Sequence, residues 1–226
     1  MRTKIATLFL FIGTLGLAQR TEENKLGSWH AYFGTNRISD KFSIHTEVQL
    51  RYFEQGKSFN QSVLRSALNY HINPDALLSL GYTNLVTDTT IESLEGETNI
   101  NEHHIYADGI LKNKVWELGF EHRFRFENRF IDFGDTKDTQ QRLRYRLLLN
   151  VPLTDIFFIN LYEELFVNFQ NEVYDQNWTF IGLGANVTNN LSLQAGYIKI
   201  NTESGNFDRL VGIIIFNPDL RKKKRE

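Results

Sequence analysis

The chain has 226 residues, enough for one domain, with a formal net charge of −2 and no cysteine. The missing thiols exclude disulfides, thiolate metal sites, thiol catalysis and a lipoprotein anchor on an N-terminal Cys. The charge balance points to no nucleic acid.

Residues 1–18 read as a secretory leader. Arg2 and Lys4 form the basic start, Ile5 to Leu17 the apolar run, and Gly16-Leu17-Ala18 the small-residue cleavage site, which leaves Gln19 first. Removing Arg2 and Lys4 leaves 23 basic residues against 27 acidic ones. No later apolar run reaches the roughly 20 residues a spanning helix needs, but that test is blind to β-barrels, whose strands show only alternating segments of about 10 residues.

After a short N-terminal segment, 19–25, eleven candidate strands follow: 26–36, 41–53, 60–72, 77–86, 101–111, 115–130, 139–151, 156–169, 176–187, 191–200 and 206–216. Each side of a strand carries every second residue. In the second, Phe42, Ile44, Thr46, Val48, Leu50 and Tyr52 share a face opposite Ser43, His45, Glu47, Gln49 and Arg51. The segment 115–130 is the strongest case. Trp116, Leu118, Phe120, His122, Phe124, Phe126 and Phe130 lie on one face, and Glu117, Glu121, Arg123, Arg125, Glu127 and Arg129 on the other. The next strand sets Leu143, Tyr145, Leu147 and Leu149 against Arg142, Arg144 and Arg146.

The connections alternate in length. Turn-forming residues at 38–40, 73–75, 112–114, 152–155 and 188–190 make short ones, and 54–59, 87–100, 131–138, 170–175 and 201–205 are mostly longer. Short turns on one side and longer loops on the other characterise outer-membrane barrels. The expected fold is therefore all-β: an antiparallel up-and-down transmembrane β-barrel of 10 to 12 strands over 26–216, followed by a basic, solvated tail, 217–226. The count does not close, because the rule makes 26–36 run from outside to periplasm.

Alternation alone cannot say which face is wet. The crowd of aromatics on 115–130, the leader, and Trp116, Tyr52, Tyr70 and Tyr82 near strand ends favour an apolar exterior. On that reading Trp116, Phe120, Phe124, Phe126, Phe130 and Tyr145 face lipid. Glu47, Arg51, Arg65, Glu117, Glu121, Arg123, Arg125, Glu127, Arg129, Arg142, Arg144, Arg146 and Glu164 form a charged lumen that pairs across strands.

Catalytic motifs of the GxSxG, HExxH, P-loop or GxGxxG type do not occur, and no catalytic residue, cofactor or metal is expected. His103 and His104 are adjacent on a strand and so point to opposite faces. His122 and Glu163 interrupt apolar faces. A bulge turning one inward, or a strand end beyond the membrane, would account for this; a membrane-embedded acid/base pair acting on lipid is the sharper alternative.

Leu26-Gly27-Ser28-Trp29, Phe42 to Phe53, Leu68-Asn69-Tyr70 with Asn73-Pro74, and Glu121-His122-Arg123-Phe124-Arg125 resemble the family catalogued as domain of unknown function 2490. So do Arg142-Leu143-Arg144-Tyr145-Arg146, Asp175-Gln176-Asn177 and Phe216-Asn217-Pro218-Asp219-Leu220-Arg221. The resemblance covers about 24–221 and implies an exported outer-membrane barrel of a Gram-negative bacterium, with no assigned chemistry. The expectation is a non-enzymatic structural or interaction barrel of the outer membrane, with lipid and the barrel assembly machinery as partners. A narrow anion channel, a lipid-modifying enzyme and a soluble periplasmic ligand-binding barrel are the alternatives.

Overall fold

The computed structural model describes residues 25–88, 99–170, 172–203 and 205–221. The expected leader, most of the N-terminal segment and the end of the basic tail lie outside these residues. The described chain is a meander of β1 (Gly27–Arg37), β2 (Phe42–Glu54), β3 (Lys57–Asn73), β4 (Ala76–Thr87), β5 (Ile100–Val115) and β6 (Leu118–Asp132). It continues through β7 (Lys137–Pro152), β8 (Phe157–Asn168), β9 (Tyr174–Asn186), β10 (Leu191–Thr202) and β11 (Asn206–Phe216), and the sheet closes into a barrel.

Each consecutive pair is antiparallel, as the alternation implies. The closing pair is not: β1 and β11 run parallel, from Gly27 against Arg209 to Gly34 against Phe216. A closed meander of eleven strands requires one such seam, because an odd count brings two strands of the same direction together. The segment 26–36 is thus a full member of the barrel, parallel to β11 and antiparallel to β2.

The seam is reinforced just past β11. Arg37 N–H donates to Pro218 O at 3.0 Å, and Leu220 N–H donates to Arg37 O at 2.8 Å. Residues 217–221 therefore dock beside the end of β1. They do not trail into solvent as a free tail, because the unpaired edge of β1 offers them backbone partners.

Following the register from Glu47 through Arg65, Thr83, His104, Arg129 and Gln140 reaches position 170 beside β7. Following it the other way, through Phe33, Ile215, Ser192 and Asn186, reaches Ile156. The two ends differ by 170 − 156 = 14 residues, a stagger that tilts the strands by roughly 40–45°.

The turn between β5 and β6 departs from the sequence reading. The strands pair as far as Val115 against Leu118, leaving a two-residue hairpin of Trp116 and Glu117 in place of a turn at 112–114. Trp116 has φ 56°. The periodicity of 100–115 matches that of its neighbours, so the ladder continues through Lys112 and Lys114, and Lys112 pairs with Glu121 at 3.5 Å.

Side chains sort by parity. The largest fully buried side chains include Arg125, Tyr106, Phe166, His104 and Glu127, all facing the interior. Among the described residues, forty large apolar side chains are exposed on the outer wall and rims and thirteen hydrophobic residues are buried. Close approach inside is made possible by glycine: a Cβ at Gly196 would lie 2.6 Å from the Phe180 ring, and one at Gly182 2.5 Å from it.

Candidate functional site

The interior is a cavity of about 950 Å³ whose wall is built from inward residues of all eleven strands. Alternation fixes who reaches it. On β6 the odd positions 121–129 point in, and on β7 the even positions 142–146 do, so the rows meet as Arg123 opposite Arg146 and Arg125 opposite Arg144. Like charges directly opposite repel. Carboxylates from the flanking strands interleave with them and offset this.

Glu127 is the hub. It accepts from Arg142 Nη2 at 2.7 Å and Arg144 Nη1 at 3.1 Å, and lies 3.8 Å from Arg125 Nη1. Arg125 makes a bidentate pair with Asp108, both contacts 2.7 Å, and its guanidinium sits 4.1 Å from the Tyr106 ring centroid. Glu164 joins Arg144 at 2.8 Å to Arg123 at 2.7 Å. Glu121 holds Arg146 at 2.6 Å, Glu47 holds Arg65 at 2.5 Å, and Glu102 holds Arg129 at 2.8 Å. Bidentate, shared contacts of this kind are what a buried ion pair needs to offset desolvation.

Twelve of the thirteen lumen residues expected from sequence lie on this wall or bond within it. Glu117 does not. It is exposed in the β5–β6 hairpin, because the strand it was assigned to begins one residue later. Trp116 is likewise at the hairpin tip, 89% exposed, and not on the strand face. Phe120, Phe124, Phe126, Phe130 and Tyr145 take the parity opposite the lumen residues, on the outer wall.

The sequence reading missed Glu102, His104, Tyr106 and Asp108, all inward on β5, and Asp175, which accepts from Arg142 at 3.0 Å. The same period-2 signal that located Arg123 and Arg125 would have found the β5 residues. His103 and His104 do point apart: His104 bonds Glu102 inside at 2.9 Å, and His103 meets the Tyr82 hydroxyl outside at 2.5 Å.

Charges in the wall do not balance. Among the described residues from β2 to β9, Arg51, Arg65, Lys112, Arg123, Arg125, Arg129, Arg142, Arg144 and Arg146 face Glu47, Glu102, Asp108, Glu121, Glu127, Glu164 and Asp175, nine cations against seven carboxylates, and Arg37, Arg209 and Arg221 add three cations and Asp219 one carboxylate near the β1–β11 seam. Arg51 has no carboxylate partner among the described residues. It donates to Gln49 Oε1 at 2.7 Å and Gln61 Oε1 at 2.5 Å, and lies 4.0 Å from the Trp29 ring centroid and 5.4 Å from that of Trp178.

The other side of the lumen is apolar. Trp29, Phe180, Ile198, Ile200 and Val211 form a buried cluster against Tyr162, Trp178, Phe207 and Ile213. Trp29 and Trp178 meet edge to face at 5.2 Å, and Arg144 lies 5.6 Å from the Trp178 ring. A chain of rings and guanidiniums therefore crosses the lumen from Arg51 on β2 to Arg144 on β7.

His122 and Glu163 both stay on the outer wall, and the ladder runs through them without a bulge. His122 bonds the Tyr145 hydroxyl at 2.9 Å. Glu163 accepts from Thr179 at 2.7 Å and from Asn177. Leu147 is the register partner of both, so the two lie about 10 Å apart by strand spacing.

These features define a closed eleven-stranded barrel with an apolar exterior and an ion-paired interior. A profile of the family described as "Protein of unknown function (DUF2490)" matches residues 26–211, and the chain belongs to that family. No curated protein matches it. Among solved structures it is similar to the siderophore receptor PirA from Pseudomonas aeruginosa, at 8% identity over 77% of this chain and 35% of that one, with a TM-score of 0.32. This chain spans about a third of the receptor's length, and a likeness of that size carries no argument about function.

Proposed function

We propose that the protein is an integral outer-membrane β-barrel, delivered by its leader and assembled by the barrel machinery, whose lumen is braced by ion pairs and bridged by rings. The observation that carries this reading is the inversion of the wall. Leu80 on the outside is 65% exposed, whereas Arg125 inside is 1% exposed. In water such a wall would forgo hydrophobic burial across the outer face and desolvate guanidiniums as well. Against hydrocarbon the same wall is stable, because lipid covers the leucines and the closed ladder pairs each described strand on both sides.

Strand lengths agree. Each strand has 11 to 17 residues, and a tilted crossing needs about 9–11. The outward polar groups come in bonded sets, His122 with Tyr145 and Glu163 with Thr179, which lowers the cost of placing them near lipid.

Carbonate washing of membranes, followed by gel electrophoresis with and without boiling, tests the location: the reading expects retention and heat-modifiable migration, and release into the wash rejects it. Planar bilayers test the lumen. Ohmic steps of porin size from the wild-type barrel would reject a bridged interior.

A further inference from the structure

At mid-height the lumen is chemically two-sided. The 14-residue stagger raises the register by about 1.3 residues per strand. Once that is included, Arg65, Arg125, Arg123 and Arg146 lie within roughly two residues' rise of Tyr162, Phe180, Ala31 and Ile213. One arc of the wall is therefore charged, its guanidiniums set among Glu47, Asp108 and Glu164, and the facing arc is apolar, around a cavity in the size range of ligand pockets.

Arg123 and Arg146 are under-satisfied members of the charged arc, beside Arg125, whose Nη1 also lacks a hydrogen-bond partner. Arg123 reaches Glu164 only through Nη2, and Arg146 reaches Glu121 only through Nη2. Both carboxylates are already shared with another cation, Arg144 and Lys112 respectively. The Nε of each guanidinium is buried and bonds nothing. Two opposed guanidiniums with spare donors, in a wall with surplus positive charge, call for an anion. Tyr162 lies between the two arcs. Its ring stacks on Phe180 at 4.8 Å, and Arg146 lies 5.7 Å from its centroid.

We propose that the lumen binds a small amphiphilic anion, with its carboxylate or phosphate on Arg123 and Arg146 and its hydrocarbon part against Phe33, Phe180 and Ile213. This rests on the reading of the barrel as closed and ion-paired, and adds what its cavity is for. An apolar body explains why the arc facing Arg123 and Arg146 at mid-height is lined by Phe180, Ala31 and Ile213. The surplus positive charge explains why the head is anionic and not zwitterionic.

The test uses purified, heat-modifiable barrel and water-soluble probes: hexyl phosphate, hexanoate, inorganic phosphate and hexylamine, titrated by calorimetry. Saturable binding of hexyl phosphate or hexanoate is expected, with inorganic phosphate at least tenfold weaker and hexylamine silent. The double variant Arg123→Gln/Arg146→Gln should lose at least tenfold in affinity for the anions. Phe33→Ala, which leaves every ion pair in place, should narrow the gap between hexyl phosphate and inorganic phosphate. No binding by the wild type, or equal binding of hexylamine, overturns the proposal, as does equal binding by the heat-modifiable double variant. Binding by a barrel that carbonate releases would uphold this site while rejecting the membrane location.

Discussion

The guanidinium of Arg51 lies 4.0 Å from the centroid of the Trp29 ring. A cation over an indole is worth about 2 kcal/mol when desolvated. Here it also joins β2 to the Trp29–Trp178 contact that spans the lumen. Arg51→Ala is expected to cost about 2–3 kcal/mol in urea unfolding, since it also strands the Gln49 and Gln61 carbonyls. The double variant Arg51→Ala/Trp29→Ala should add ohmic openings in planar bilayers. Silent bilayers from a folded double variant would show that the bridge closes nothing.

Glu127 offers a sharper stability test. Its carboxylate serves Arg142 and Arg144 and faces Arg125, and it is entirely enclosed. Glu127→Ala leaves those guanidiniums short of a counter-charge, and about 3–5 kcal/mol should be lost. Asp132→Asn breaks an ion pair with Lys137 at the rim, where Lys137 is 79% exposed and solvent screens the pair, and should cost far less. Urea titrations of both variants in lipid vesicles compare the two; equal losses would mean the lumen behaves as solvent.

How much of this was legible in the sequence follows from periodicity. A period of two on strands such as 42–53 and 118–131 fixes both the element and the face of every residue, so all eleven strands and nearly all of the lumen row could be read. Turn position is set by how far the ladder zips, which residue types only bias. Hence Trp116 and Glu117 were assigned to a strand that in fact ends in their hairpin. The parallel seam was visible only as a parity conflict, because strand direction is local while closure is global. The apolar arc was hidden because Trp29, Phe180 and Ile198 look like any other aromatic or branched residue until closure turns them toward Arg51 and Arg144.

Trp116 holds a left-handed backbone at the hairpin tip, where a non-glycine residue costs about 1–2 kcal/mol. A bare indole there is favourable at a membrane–water interface. With Trp29→Phe and Trp178→Phe, Trp116 is the sole tryptophan. Its emission should be quenched by phospholipids brominated near the headgroup, while a barrel retaining only Trp178 should resist. The opposite ranking would place the wrong face in lipid.

The docked segment after β11 should respond to acid. Asp219 is bonded by Arg221 Nε at 2.9 Å, and Arg221 Nη1 also reaches Asp40 at 2.6 Å. The guanidinium holds the Asp219 carboxyl at about 2, below its ordinary value. A depressed carboxyl contributes fully above the ordinary aspartate range, near pH 4, and its contribution is lost as pH falls through about 2. Amide exchange at Leu220, which donates to Arg37 O, should stay slow from pH 7 to 4 relative to neighbours and accelerate below that. Asp219→Asn should exchange faster at neutral pH and lose the acid-dependent change; an identical profile in both proteins would detach the segment from Asp219.

The parallel seam puts the start of β1 and the end of β11 at opposite rims of the barrel. Lys25 Nζ pairs with Glu54 at 3.1 Å, so the start of β1 lies beside the β2–β3 hairpin. Asn217 N–H donates to Asn190 O, so the end of β11 lies beside the β9–β10 turn at the opposite rim. The absence of native cysteine makes single reporters unambiguous. With short turns facing the periplasm, Leu26→Cys and Gln55→Cys should both react with a membrane-impermeant maleimide on intact cells. Asn189→Cys should react only after the outer membrane is opened. Joint protection of positions 26 and 55, with 189 reactive, would invert the barrel but keep the seam. Reactivity of 26 together with 189 would break the parallel pairing of β1 and β11, and with it the count of eleven.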